Sequence, residues 1–159
     1  MKFLLIAAAV LVVFLLLAQF MIARSTDHTE QQPYTVLYSE GAFEIRSYPP
    51  VIMASVENPD STWRGSANKN FRRLAGYIFG NNREEKKIAM TAPVHMENTG
   101  SGSRMSFVMP AAMEMKDLPS PQDDGVLISS VGADTVAVLR FSGFAGDNDI
   151  HDKKVELMH

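Results

Sequence analysis

Phe43-Glu44-Ile45-Arg46-Ser47-Tyr48-Pro49-Pro50-Val51-Ile52-Met53-Ala54-Ser55-Val56 is the stretch on which the architecture turns. Two runs of β-branched and aromatic residues flank a Tyr-Pro-Pro break. Consecutive prolines offer no backbone donors and fix their own φ, so the pattern reads strand, turn, strand. Tyr34 to Tyr38, set off by Glu40-Gly41, adds a strand in front. Behind it the period changes: Trp63, Ala67, Phe71, Leu74 and Ile78 recur at helical spacing and share one face. Asp60 or Ser61 can cap the start of this helix, and Gly80-Asn81 ends it. Lys69, Arg72 and Arg73 lie opposite the apolar stripe, as a solvated face or as contacts for anionic lipid headgroups or ligand carboxylates.

Beyond the helix, Lys87 to Met90, Met105 to Met109, Val126 to Ser130 and Thr135 to Phe141 read as further strands between loops rich in Gly, Ser, Pro and Asp. Asp147-Asn148-Asp149 offers N-caps for a second helix in which Ile150, Val155 and Met158 face inward. The class is α+β. The order of strands, helix and strands begins again after Val126 and stops at His159, which reads as an internal duplication with an incomplete second half.

The chain has 159 residues, enough for one domain with one modest core. Its 15 basic and 18 acidic residues leave a formal charge of −3, without the basic field that nucleic acid requires. The absence of cysteine removes disulfides, thiolate metal ligands and a cysteine nucleophile. From Phe3 to Ala23 there is no charge and one strongly polar residue, Gln19. A helix of that length, at about 1.5 Å per residue, matches a hydrocarbon core of about 30 Å. No A-x-A cleavage pattern follows, so an uncleaved transmembrane anchor over residues 1–24 is expected rather than a removed signal peptide. Residues 25–33 then form a tether, and residues 34–159 form the domain. Lys2 and the α-amino group favour the N-terminus inside, which puts the domain on the outer side, periplasmic or extracellular.

Several segments taken together carry a resemblance: Phe43 to Pro50, the helix with Phe71, Leu74, Tyr77-Ile78 and Gly80-Asn81, Lys86-Lys87-Ile88-Ala89-Met90-Thr91-Ala92-Pro93-Val94, Ser106 to Pro110, and Val138 to Gly143. They resemble the SOUL family of haem-binding proteins, from about Tyr34 to the last helix, and the Lys86 to Val94 string is the specific part. The resemblance implies a distorted antiparallel β-barrel of two similar β-α-β halves, each with one long helix. It also implies non-covalent binding of haem or another tetrapyrrole in an apolar groove. Two departures stand out. Ser47 occupies the position where some family members carry a histidine proposed to ligate iron, so that ligand does not transfer. Family members also continue through closing strands with no counterpart in this sequence, which leaves the expected barrel short of a wall.

A tetrapyrrole site needs a wide apolar slot, cations near its rim for the propionates, and optionally a nitrogen or thioether donor for iron. His28 lies in the tether and His159 at the terminus, which leaves His95 and, less well placed, His151 as iron ligands. His95 falls where a strand is expected to end, beside Met96, and an ordinary loop histidine is the competing reading. Met90, Met105, Phe107, Met109 and Phe71 are candidate groove residues, with plain core packing as the alternative. Arg46 and Lys87 are candidate propionate partners, joined by Lys86, Lys69, Arg72 and Arg73. Glu44 and Arg46 share a strand face, an arrangement more often structural than catalytic. Met113-Glu114-Met115 with His95-Met96 raises a soft-donor copper(I) site as a different reading. No nucleophile triad, phosphate-cradling loop or metalloprotease motif stands out, so the expectation is a binding module and not an enzyme. Binding of another amphipathic ligand or lipid by the same fold, and a truncated non-functional copy, remain the alternatives.

Overall fold

The computed structural model describes residues 11–14, 29–59, 63–143 and 145–158. It divides into two units, Met1–Glu30 and Gln31–His159. In the first, residues 11–14 are helical and exposed; the rest of the expected anchor lies outside the described residues. Among the described residues no helix is long and apolar enough to cross a membrane. This overturns the expected transmembrane helix, and with it the signal-anchor reading and the placement of the domain on the outer side of a membrane.

From Glu30 onward, nine strands, two α-helices and a short 3-10 turn make up the described part of the fold. The strands are β1 (Glu30–Gln31), β2 (Thr35–Glu40), β3 (Phe43–Tyr48), β4 (Val51–Asn58), β5 (Thr91–Ala92), β6 (Val94–Asn98), β7 (Ser103–Val108), β8 (Val126–Val131) and β9 (Asp134–Leu139). Helix α1 spans Trp63–Ile78, helix α2 spans Asp147–Leu157, and the 3-10 turn is Met115–Asp117. Three sheets result, with orders β6-β7-β4-β8, β2-β3-β9 and β1-β5.

The Pro49-Pro50 break governs how the sheets divide. Strands β4 and β8 pair antiparallel from Val56↔Val126 to Val51↔Val131, and β3 and β9 pair from Tyr48↔Asp134 to Phe43↔Leu139. The register is the same on both sides of the break, so the four strands are one long two-stranded ribbon interrupted where Pro49-Pro50 faces Gly132-Ala133. Each arm then recruits its own neighbours. β7 joins β4, and β2 joins β3 with a register shift between Val36 and Tyr38. The strand-strand-helix order of β3, β4 and α1 recurs in β8, β9 and α2.

The expected barrel does not close. Among the described residues β6 and β8 are the edges of one sheet, and β2 and β9 the edges of the other, whereas a barrel leaves no edge strand unpaired. The architecture is α+β with open sheets.

Helix α1 covers one face of the four-stranded sheet. Leu74, Tyr77 and Ile78 are buried against Ala54, Val56, Met105, Phe107, Met109 and Val126, with Ile88 alongside, and Ala67 packs at the margin. Alternation in the strands explains this: Ala54 and Val56, Met105 and Phe107, and Val94 and Met96 all point to the helix side. Phe71, expected within the stripe, is 38% exposed at its edge, and Tyr77 takes an interior place instead. The candidate caps Asp60 and Ser61 lie outside the described residues. After α1 the chain reverses at Gly80, whose φ of +107° is reached without strain only by glycine. Asn82 secures the reversal, donating through Nδ2 to the carbonyls of Tyr77 and Lys86 and accepting from the Lys86 amide. The strand expected at Lys87 to Met90 is irregular backbone, and pairing begins later, at Thr91.

Candidate functional site

The face of the four-stranded sheet turned away from α1 carries a different chemistry. Register brings His95 of β6, Ser106 of β7, Ser55 of β4 and Leu127 of β8 into one row across it. The next row holds Glu97, Arg104 and Glu57. With Met53, Ser129 and Val131 these residues line a cleft of about 490 Å³, within the range of about 300–1,000 Å³ usual for small-molecule sites. Apolar side chains from β4 and β8 and hydroxyls from three strands share the lining, while the charged row sits at the more exposed end.

His95 is the one titratable ring on this surface. Its Nε2 lies 2.8 Å from Oε1 of Gln32. Gln32 is itself buried, and its backbone amide donates to the Ala92 carbonyl at 2.8 Å, so the chain just before β2 is held against β5 and presents the amide side chain to the ring. With the carboxamide oxygen as acceptor, Nε2 carries the proton and Nδ1 keeps its lone pair. Burial pushes the imidazole below its ordinary pKa, against a smaller upward pull from Glu97, so the neutral ring is favoured. A neutral imidazole with one nitrogen fixed by a buried amide is the form in which histidine ligates a metal.

The polar floor is internally satisfied. Ser55 Oγ and Ser106 Oγ lie 2.8 Å apart. Arg104 donates from Nε to Glu57 Oε1 at 2.9 Å and from Nη1 to Glu97 Oε1 at 2.6 Å. The cation that lines the cleft is thus already flanked by two carboxylates, and an anionic group of a ligand must compete with them.

The candidates read from the sequence do not come together. His95 is in the cleft, inside a strand and not at its end. Met105, Phe107 and Met109 are buried between sheet and α1, and Phe71 lies against Phe107 edge to face with ring centroids 5.4 Å apart. Met90 and Lys87 are exposed on the irregular segment before β5. Arg46 belongs to the three-stranded sheet, where Nε donates to Glu44 at 2.7 Å and the guanidinium sits 4.2 Å from the centre of the Tyr34 ring. Ser47 lies in the same strand. Lys86 donates to the Asp117 carbonyl at 2.8 Å, and Arg73 forms a two-pronged pair with Asp123, both bonds 2.6 Å. His151 is exposed on α2. The copper(I) set is only partly assembled: Met96 packs partly against the core and also borders the cleft that His95 lines, whereas Met113 packs against the core and Met115 is exposed.

Sequence reasoning missed Gln32, Ser55, Ser106, Met53, Leu127 and Val131. A signal was available: Met53, Ser55 and Glu57 alternate with Ala54 and Val56, as Arg104 and Ser106 alternate with Met105 and Phe107, so each strand has an apolar and a mixed face. What the alternation does not give is the cross-strand register that puts these mixed faces side by side with His95.

Comparison with known proteins places the chain in a family. The model of the SOUL heme-binding protein family matches residues 29–159. Two curated proteins named Heme-binding protein 2 are similar. The human one is 36% identical over 114 residues, covering 66% of this chain and 54% of its own length. The mouse one is 33% identical over 112 residues, with the same shares of 66% and 54%. The chain therefore spans about half the length of the curated relatives it matches.

Proposed function

Because this chain belongs to the SOUL heme-binding protein family, we propose that it binds haem or a related tetrapyrrole non-covalently, without catalysis, in the cleft beneath His95 and within a domain comprising residues 34–159. The observation that carries the proposal is His95 itself: a half-buried, neutral-leaning imidazole, oriented by Gln32, on the wall of a cleft of about 490 Å³ with Met53, Leu127 and Val131 as apolar lining. The donor set suits the group. His95 Nδ1 is the nitrogen available to iron, the aliphatic and thioether side chains suit a flat apolar ring, and Arg104 is the cation for a propionate once it exchanges one of its carboxylate partners. Bound iron would bring a ligand-sensitive Soret absorption to the complex.

Hemin titration of the full chain tests this. A shifted Soret band that saturates at one equivalent is expected, and His95→Ala should alter the band and weaken binding. A titration that never saturates, or one identical in His95→Ala, sinks the assignment of the cleft.

A second reading has its own support in the hydroxyls of Ser55, Ser106 and Ser129, which suit an amphipathic ligand with more hydrogen-bonding groups than a porphyrin. Thermal-shift screening separates the two, since a ligand that binds only the folded state raises its stability.

A further inference from the structure

The His95 cleft changes character from one end to the other, and the strand registers fix the order. Glu97, Arg104 and Glu57 oppose one another across β6, β7 and β4 and form its first row. Two residues further along, about 7 Å at strand spacing, comes the row of His95, Ser106, Ser55 and Leu127. Met53 opposite Ser129 follows, and Val131 of β8 stands last, roughly 20 Å along the strands from the level of Glu57. The lining thus passes from charge, through hydroxyls and an imidazole, to a thioether and branched aliphatic groups.

The two ends treat a carboxylate in opposite ways. At the first, the side chains of Arg104, Glu57 and Glu97 are all exposed, so a ligand carboxylate there meets a guanidinium and keeps much of its water. Of the five N–H groups of a guanidinium, Arg104 directs those on Nε and Nη2 to Glu57 and one on Nη1 to Glu97. The Arg104 fork can therefore serve one incoming acid group, with the two glutamates discouraging a second from crowding in. At the far end a carboxylate gives up water for Met53, Leu127 and Val131, none of which can pair with it, and an unpaired charge resists that transfer strongly. An apolar ring edge has the reverse preference.

We infer, on the premise that the cleft takes a tetrapyrrole, that it selects by where the carboxylates sit. It accepts a macrocycle whose acid groups share one edge and rejects one with acid groups around its whole periphery. Arg104 at one end and Met53, Leu127 and Val131 at the other are the residues that determine this specificity. When two acid groups are neighbours, one pairs with Arg104, the other stays in water at the same end, and the carboxylate-free edge lies along the aliphatic wall. When every pyrrole ring carries an acid group, any orientation drives at least one of them against that wall.

Titration of the full chain with iron-free porphyrins, followed by their own fluorescence, tests the selection without an iron bond. Protoporphyrin IX has two neighbouring propionates, coproporphyrin III one on each of its four rings, and uroporphyrin III two acid groups on each ring. Protoporphyrin IX should saturate at one equivalent, coproporphyrin III should bind at least about tenfold more weakly, and uroporphyrin III more weakly still. Val131→Lys sets a cation at the far end, at a position already exposed, and should bring coproporphyrin III to within a few-fold of protoporphyrin IX. Leu127→Lys, also at an exposed position, repeats the test where Val131→Lys fails to fold. Equal affinity for the three porphyrins overturns the selection and leaves the tetrapyrrole reading standing. A preference that neither lysine reduces overturns it too, since coproporphyrin III is then disfavoured by its polarity and not by this wall. Binding of hemin without binding of protoporphyrin IX puts the affinity in the iron bond and has the same consequence. If neither binds, the tetrapyrrole reading fails and the selection fails with it.

Discussion

Replacing Asp123 by asparagine should lower the stability of the domain at neutral pH and leave it nearly unchanged near pH 2. Asp123 accepts two bonds of 2.6 Å from Arg73 and a third, of 2.9 Å, from the Gly125 amide. The guanidinium first, and the backbone donor second, hold its carboxyl down from 3.8 to about 2. For a fully buried group that displacement corresponds to ~2.5 kcal/mol. The Asp123 side chain is 36% exposed and that of Arg73 28%, so solvent screening reduces the contribution to ~1 kcal/mol. The sign follows from linkage: a carboxyl depressed in the folded state contributes fully above its unfolded value of 3.8 and loses that contribution as pH falls toward 2. Chemical denaturation of wild type and Asp123→Asn at several pH values between those limits and neutrality measures it. A difference that does not shrink on acidification would show that the pair acts through packing and not charge. The backbone offers a second route to the same latch. A Cβ built at Gly125 would overlap Nη2 of Arg73, so Gly125→Ala must displace the guanidinium from its place beside Asp123. It should destabilise at least as much as Asp123→Asn, by roughly 3–5 °C in melting temperature. This latch ties α1 to the start of β8, and β8 supplies Leu127, Ser129 and Val131 to the cleft.

Three further outcomes are expected. Phe107→Ala removes a buried ring that meets Phe71 across the helix–sheet interface; urea unfolding should register a loss of ~3–5 kcal/mol. Tyr77→Phe removes the 3.0 Å bond from the buried hydroxyl to the Pro119 carbonyl, and calorimetry should find ~1–2 kcal/mol lost. Burial pushes that hydroxyl's pKa up to about 12, so its contribution is complete below pH 10, the unperturbed value, and disappears as pH rises through the folded value. Glu97→Gln frees one side of Arg104 and removes the charge that pulls His95 upward; hemin affinity should rise several-fold, and its decline on acidification, which begins below 6.5 as His95 takes up a proton, should move to lower pH. Weaker binding in this variant would mean that Arg104 does not meet the ligand.

Local rules carried far along this chain because most of its elements state themselves locally. Two runs separated by Pro49-Pro50 gave β3 and β4, helical spacing gave α1, and the start of β8 followed from its β-branched run. The failures share a cause: information that is not local. The segment Lys87 to Met90 has strand composition, but the backbone there completes a reversal organised by Asn82 and Gly80, and tertiary demand overrides propensity. β6 was missed because Val94-His95-Met96-Glu97 alternates too briefly to announce a strand until β7 lies beside it. Arg73 was grouped with a solvated or ligand-facing set because nothing within α1 reveals Asp123, fifty residues away.

The site follows the same division. Elimination among four histidines leaves His95, the proposed ligand, and His151, but the surroundings of neither could be read that way. Met105, Phe107 and Met109 were natural groove candidates, and an interior methionine looks the same in sequence whether it faces a ligand or a helix. Period two fixes that Ser106 points opposite to Met105 and Phe107, not which face the helix covers. Once α1 takes the Ala54, Val56, Met105 and Phe107 side, the mixed face must accommodate whatever else this sheet meets. Ser55 and Ser106 are already paired and Arg104 is already flanked by two carboxylates, which leaves His95 as the donor on which the proposed assignment rests. Gln32 makes that role depend on a residue more than sixty positions away. Replacing Gln32 by alanine should therefore leave the fold intact, free the ring to change tautomer, and change the spectrum of a hemin complex without abolishing binding. A spectrum unaltered by that substitution would detach His95 from the ligand.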